Sequence, residues 1–207
     1  MLTLETVKKR YDNEKSEGSL GCANISSFLN IREGEIILEL GSGRGLQTIL
    51  SARQSGDKGM VYGLDLSEKM VEKANESLKD SELKNLKFLT GDLHRLPFEN
   101  QSFDLIYSNC VLNHSTDKLK AYQEIFRVLK PGGKIVIGDI TAVHRLPESV
   151  SNDPEAIADC YGGAIPKKEY EEIILSAGFQ KINIHSSRIY EKNGFLLESI
   201  IITGGRS

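Results

Sequence analysis

Three glycines at alternating positions constrain this chain more than any other feature. Gly41, Gly43 and Gly45 follow the apolar run Ile36-Ile37-Leu38-Glu39-Leu40 and precede Leu46-Gln47-Thr48-Ile49-Leu50. A short apolar run bounded by glycine reads as a buried strand, and the segment after it has helical spacing. Strand, glycine turn and helix form the unit by which a doubly wound sheet presents backbone N–H groups to a nucleotide-like ligand. Glycine suits the turn because it reaches positive φ without strain and has no Cβ to hold a ligand off. The dinucleotide fingerprint needs its third glycine at position 46, which is Leu46 here. Leu46 and the acid Glu39 therefore disfavour a nicotinamide oxidoreductase.

The rest of the chain repeats the alternation. Residues 60–65 read as a second strand ending in Asp65, and Met70, Val71, Ala74 and Leu78 form one apolar helix face after it. An acid at the end of a second strand accepts hydrogen bonds from ribose hydroxyls in doubly wound folds; the competing role is to cap the next helix, as Ser67 also can. Strands are expected near 86–89, 103–107 and 134–138, the last ending at Asp139. A helix covers 117–130 and is closed by Pro131-Gly132-Gly133. Residues 140–165 break the pattern, with a short helix near 155–161. A helix over 167–176 and strands over 179–186 and 195–203 follow, the strands joined at Asn193-Gly194. Two helices precede the first strand, at about 3–15 and 23–29, with a break at 18–21. The expected division is a helical lid segment at 1–33 and a ligand-binding domain at 34–207, with a substrate cap at 140–165.

At 207 residues the chain fits one domain with a small appendage. A net charge of −3, with no basic run longer than Lys8-Lys9-Arg10, gives no basic stripe for nucleic acid. No apolar run reaches membrane-spanning length, and the N-terminus lacks a signal-peptide layout, so a cytoplasmic location is expected. Cys22, Cys110 and Cys160 are odd in number, widely spaced and without a C-x-x-C pair. A disulfide framework and a resident metal site of ordinary spacing are both disfavoured.

Glu39 with the three glycines resembles motif I of the class I S-adenosylmethionine-dependent methyltransferases. The run from Gly91-Asp92-Leu93 through Leu96-Pro97-Phe98 to Ser102-Phe103-Asp104 resembles the same family, as does Arg127-Val128-Leu129-Lys130-Pro131-Gly132-Gly133. The resemblance spans about 34–203. It implies an α/β fold: a doubly wound, mainly parallel seven-stranded sheet with its last strand antiparallel. It also implies S-adenosyl-L-methionine as cofactor, with Glu39 near its methionine amino group and Gly41, Ser42, Gly43 and Gly45 beneath its ribose and amino-acid part. Asp65 and Leu66 would then meet the ribose, Gly91, Asp92 and Leu93 the adenine, and Asn109 the same edge. His94 is read as a solvated loop histidine without chemistry.

Ser108-Asn109-Cys110-Val111 and Cys160-Tyr161-Gly162-Gly163-Ala164 resemble segments of the arsenite methyltransferases, and Ser19-Leu20-Gly21-Cys22 resembles one in their short microbial form. The chain stops at Ser207, short of the long carboxyl-terminal extension of larger members. That resemblance implies catalytic thiols at Cys110, Cys160 and Cys22, with As(III) as substrate rather than resident metal. Trivalent arsenic is soft and prefers thiolates. Two departures stand out: Cys22 is followed by Ala23-Asn24-Ile25 instead of the family's glycine and proline, and Asn113-His114-Ser115 replaces the common Asn-Leu-Ser. The alternatives are a methyltransferase for a carbon, oxygen or nitrogen of a small organic molecule such as a quinone, with His114 or Tyr161 orienting it, and a non-catalytic cofactor-binding protein.

Overall fold

A computed structural model describes residues 2–14, 21–79 and 81–207. Most of the expected break at 18–21 lies outside them. Two helices come first, α1 (Leu2–Asp12) and the single turn α2 (Ser26–Leu29). The alternation then runs β1 (Ile36–Leu40), α3 (Leu46–Ser55), β2 (Met60–Asp65), α4 (Glu68–Leu78), β3 (Leu86–Thr90), β4 (Phe103–Asn109), α5 (Lys118–Val128) and β5 (Leu129–Ala142). Short helices α6 (Glu148–Ser151) and α7 (Pro154–Ala158) precede α8 (Lys167–Ser176) and the closing hairpin of β6 (Gln180–Lys192) and β7 (Phe195–Gly205).

The strands form one sheet in the order β3-β2-β1-β4-β5-β7-β6. β1 pairs in parallel with β2 and β4, β2 with β3, and β4 with β5. β7 runs antiparallel to both β5 and β6. Six strands therefore share one direction and the last opposes them, as expected.

Alternating side chains cover both faces of the sheet. Leu38, Ile106, Ile135 and Ile137 pack with Tyr122 and Ile125 of α5 and Tyr170 and Ile174 of α8. Ile37, Leu105, Tyr107 and Val136 pack on the other face with Ala52, Val71 and Ala74 and with Ile25 and Leu29. Period-two alternation between two buried faces is what a parallel sheet covered by helices requires. Helix starts follow local chemistry: Ser67 Oγ accepts the Met70 N–H, and Asp117 accepts that of Lys120.

The Arg127–Lys130 phrase does structural work. Arg127 forms a fork with Glu124 at 2.7 and 2.8 Å and donates to the carbonyls of Leu96 and Phe98. Lys130 Nζ reaches both carboxylate oxygens of Asp104. Several boundaries differ from expectation, among them the end of β6, which runs to Lys192 rather than 186. α5 ends at Val128, and β5 begins at Leu129, with a bulge opposite Phe103–Leu105. β5 also runs past Asp139 to Ala142, because β7 pairs with it from Lys134 to Ala142.

Ile106, on the central strand β4, is fully buried. Ile106→Ala is expected to cost about 2–5 kcal/mol in urea unfolding. Ile189→Ala on edge strand β6, where Ile189 is 62% exposed, should stay within about 0.5 kcal/mol of wild type.

Candidate active site

The strand order reverses between β1 and β4, so the chains leaving their carboxyl ends diverge. Such a reversal opens a crevice at that edge, and a cavity of about 680 Å³ lies there. Every residue expected at the cofactor lines it except Gly45. A Cβ on Gly45 would sit 2.3 Å from the Phe88 ring, so that glycine lets α3 approach β3. Cys22 and Cys110 also line the cavity, as do Leu4, Val7 and Tyr11 of α1.

The glycine turn is built for close approach. Gly41 has φ +70°, and a Cβ there would lie 2.2 Å from Val111 Cγ2. Gly43 has φ +52° and nothing within 4 Å of a Cβ position, so its backbone faces open cavity. Its N–H donates to Asp65 Oδ2 at 2.7 Å, while Asp65 Oδ1 accepts from the Ser67 N–H at 2.9 Å. Burial raises the Asp65 pKa against these bonds, and each ionised oxygen keeps a second acceptor site. Glu39 is buried beneath the turn. It accepts from Thr48 Oγ1 and, at 3.1 Å, from the Tyr107 hydroxyl. Burial nonetheless pushes its pKa up to about 8. Ser42 Oγ is buried without a hydrogen-bond partner among the described residues.

At the far end, Asp92 is not alone. His94 donates its backbone N–H to Asp92 Oδ1 at 2.8 Å; its ring Nδ1 lies 2.7 Å from the same oxygen and its Nε2 2.7 Å from Ser115 Oγ. His94 is therefore a bonded link between the loop after β3 and the turn after β4, not a solvated side chain. Its spacing of two from Asp92 was the available signal. Asn109 holds the backbone of Ala23, accepting its N–H at 3.2 Å and donating to its carbonyl at 2.7 Å.

The three cysteines approach one another, although 88 positions separate Cys22 from Cys110 and 50 separate Cys110 from Cys160. Cys22 Sγ, Cys110 Sγ and a carboxylate oxygen of Asp139 lie within 4.8 Å of one another. Cys160 Sγ is 3.5 Å from the Cys110 carbonyl, and Cys22 Sγ is 3.8 Å from Asn109 Oδ1. All three are free thiols. Cys110 and Cys160 have φ of +64° and +68°, a left-handed backbone that strains a residue with a Cβ by about 1–3 kcal/mol. For Cys110, the bond to Cys160 favours the thiolate, but the bond to Cys22, burial and the charges of Cys22 and Asp139 together hold the thiol protonated. The bond to Cys110 and burial likewise raise Cys160.

Three polar groups around the thiols carry no sequence expectation. Asp139 is fully buried, accepts from the Tyr170 hydroxyl at 2.7 Å, and is pushed up to about 6 by burial. Lys118 donates to the Gly163 carbonyl at 2.7 Å and is pulled down to about 8 by burial. Tyr11 brings its hydroxyl 2.9 Å from His114 Nε2. Only Asp139 had a signal, a strand-end position like that of Asp65.

The family model described as "Methyltransferase domain" matches residues 31–178. The chain belongs to the class I S-adenosylmethionine-dependent methyltransferases. This methyltransferase is 33% identical over 165 residues to an arsenite methyltransferase of Halobacterium salinarum, covering 80% of this chain and 42% of that one. It is 45% identical over 103 residues to a demethylmenaquinone methyltransferase of Lactococcus lactis, covering 50% and 41%. It thus spans less than half the length of either relative. Among solved structures, it matches an arsenic(III) S-adenosylmethionine methyltransferase from Chlamydomonas reinhardtii with a TM-score of 0.76 and 27% identity, covering 96% of this chain and 72% of that one. The cavity fits the family's cofactor: an open glycine cradle, an orphaned serine hydroxyl and two carboxylates meet a ligand rich in hydroxyls and carrying an ammonium group. Among the described residues no helix is long and apolar enough to cross a membrane.

Because Glu39 rises from 4.5 to about 8, the folded methyltransferase keeps a proton that the unfolded chain releases. That contribution is complete below pH about 4.5 and is lost as pH rises toward about 8. Glu39→Gln should flatten the fall in urea midpoint across this window, leaving the falls from the other raised groups, Asp65, His114 and Asp139, the last ending near pH 6. Asp65→Ala should weaken S-adenosylmethionine binding by at least tenfold in calorimetry, consistent with loss of charge-assisted bonds of about 1.5–3 kcal/mol each.

Proposed function

We propose that this methyltransferase transfers the methyl group of S-adenosylmethionine to trivalent arsenic held by Cys22, Cys110 and Cys160. One observation carries the reading: three cysteines distant in sequence come together beside the cavity, Cys22 and Cys110 on its wall and Cys160 behind Cys110, with Cys110 and Cys160 in a strained backbone. Strain of that kind persists where surrounding structure enforces it, and it clusters at functional sites. A thiol is the group that arsenic chemistry would require there.

In this reading Glu39 faces the methionine ammonium, and Asp65 takes the ribose hydroxyls with its free acceptor sites. The Gly41–Gly43 backbone approaches the ribose and amino-acid part, with Leu66 nearby. Asp92, held by His94, accepts from the adenine amino group beside Gly91 and Leu93. Asn109 acts by holding the Cys22–Ala23 segment over the site. The bound cofactor supplies an electrophilic sulfonium methyl, so the chain needs no strong base toward it. Its residues hold the arsenic, aim its lone pair and exclude water; such positioning accounts for several kcal/mol of a barrier. The segment 1–33 serves as a lid, through α1 and the Cys22 region, and 140–165 as the substrate cap that delivers Cys160.

A second reading has its own support in the demethylmenaquinone methyltransferase relative and in the apolar wall of Tyr161, Tyr190 and Phe195 around the thiols. An organic acceptor would then lie against those rings. Incubation with S-adenosylmethionine, arsenite and a thiol separates the readings. Wild type should yield methylated arsenic, and Cys110→Ser and Cys160→Ser should fall to background while still binding cofactor. A wild type that binds cofactor without methylating arsenite would sink the arsenic reading, and turnover of a quinone in that case would favour the organic one.

A further inference from the structure

Cys160 has a partner that the thiol-binding role alone does not call for. His114 Nδ1 lies 2.8 Å from the Ile157 carbonyl. A carbonyl only accepts, so Nδ1 carries the hydrogen and the neutral ring presents Nε2 as an acceptor. Nε2 lies 3.1 Å from Cys160 Sγ and 2.9 Å from the Tyr11 hydroxyl. The ring is buried, and an aliphatic side chain at this position could neither accept nor donate. A base oriented by a third group beside a thiol is the arrangement that activates cysteine nucleophiles.

We infer that His114 is the base that receives the proton of Cys160 as a thiophilic electrophile binds. For its natural electrophile the inference rests on the arsenic reading. With arsenous acid, the Cys160 S–H bond breaks and a sulfur–arsenic bond forms, the proton passing to His114 Nε2. One arsenic–oxygen bond breaks, and the same proton leaves with the hydroxide as water. Arsenic stays trivalent, and no electron is gained or lost. While protonated, Nε2–H donates to the Tyr11 oxygen, so the charge formed in a buried site keeps a hydrogen bond.

The surroundings bear on both members of the pair. Burial disfavours the imidazolium, and the facing Cys160 together with the Ile157 carbonyl outweighs it; Lys118 on α5 opposes. Tyr11 and Arg10 on α1, Cys22, Cys110 at the end of β4, Asp159 beyond α7, Asp139 on β5 and Tyr190 on β6 also lie around the pair among the described residues. Arg10 is engaged by Asp159 at 2.9 Å, and burial keeps the Tyr11 phenol protonated.

The test follows arsenite binding by stopped-flow absorbance across pH in wild type, His114→Leu and His114→Gln, with cofactor affinity as the check on folding. Glutamine keeps a hydrogen bond to Cys160 but cannot take its proton. Both variants should bind arsenite about 10²-fold more slowly at neutral pH, the low end for general-base catalysis, and should recover as pH rises. A His114→Gln rate and pH profile equal to wild type would overturn the inference. Should His114→Leu fail to bind cofactor, His114→Gln alone decides. A wild type that binds no arsenite defeats the arsenic reading but not this one. Alkylation of Cys160 by iodoacetamide, mapped by mass spectrometry over the same pH range, then decides it by the same comparison: parallel loss in both variants supports the base, and equal rates refute it.

Discussion

The contact between Gly41 and Val111 sets the geometry of everything at the carboxyl edge of the sheet. β1 and β4 are hydrogen-bonded neighbours to their ends, Leu40 pairing with Ser108, and the chain then leaves each strand in a different direction. A parallel sheet covered on both faces forces that divergence wherever its strand order reverses. The two departing chains still touch: a Cβ on Gly41 would overlap Val111. That missing atom lets the glycine turn and the Cys110 loop share one wall. The glycine turn and the thiols of Cys22 and Cys110 can then border a single cavity, while the insertion after β5 adds Cys160 behind Cys110.

The same edge concentrates groups that are costly to bury. Glu39, Asp65 and Asp139 lie on three strands of one sheet, and each draws on donors fixed by the fold: Thr48 and Tyr107, the Gly43 and Ser67 amides, and Tyr170 with the Ile140 amide. Buried carboxylates without such donors would neutralise or destabilise the fold. Even with them, all three pKa values are raised. The strain at Cys110 and Cys160 adds to this local cost. Stability given up at a site is the ordinary counterpart of preorganised chemistry.

The glycine-turn side of the cavity was legible because it is local. Strand, glycine turn and strand-end acid recur at fixed spacing, and the positions from Glu39 to Asp92 read off in order. The cysteines were legible only through a resemblance, since nothing in their spacing announces a meeting. Tyr11 and Lys118 were not legible at all. Tyr11 reaches His114 across 103 positions, and Lys118 reaches Gly163 across 45, and neither sits in a local pattern that differs from a solvated helix face. His94 misled for the related reason that a loop histidine is usually exposed, whereas this one is tied to Ser115 from another loop. Strand ends shifted where pairing overrode propensity: β5 extends because β7 offers it partners as far as Ala142.

Packing also joins two segments that the sequence presents as separate. The exposed ion pairs of α1, Lys8 with Glu68 and Arg10 with Asp159, are each worth about 0–1 kcal/mol. Val7 is different: it is buried in a small apolar cluster with Ile157 and Ala158 of α7, with Tyr11 against it. Burying one such side chain is worth about 1.5–3 kcal/mol, more than either ion pair. What seats α1 is therefore α7, within the irregular stretch at 140–165, more than the cofactor edge it also crosses. α7 in turn supplies the Ile157 carbonyl that orients His114 and runs directly into Cys160. The helix before the sheet and the insertion after β5 form one packed unit over the thiols.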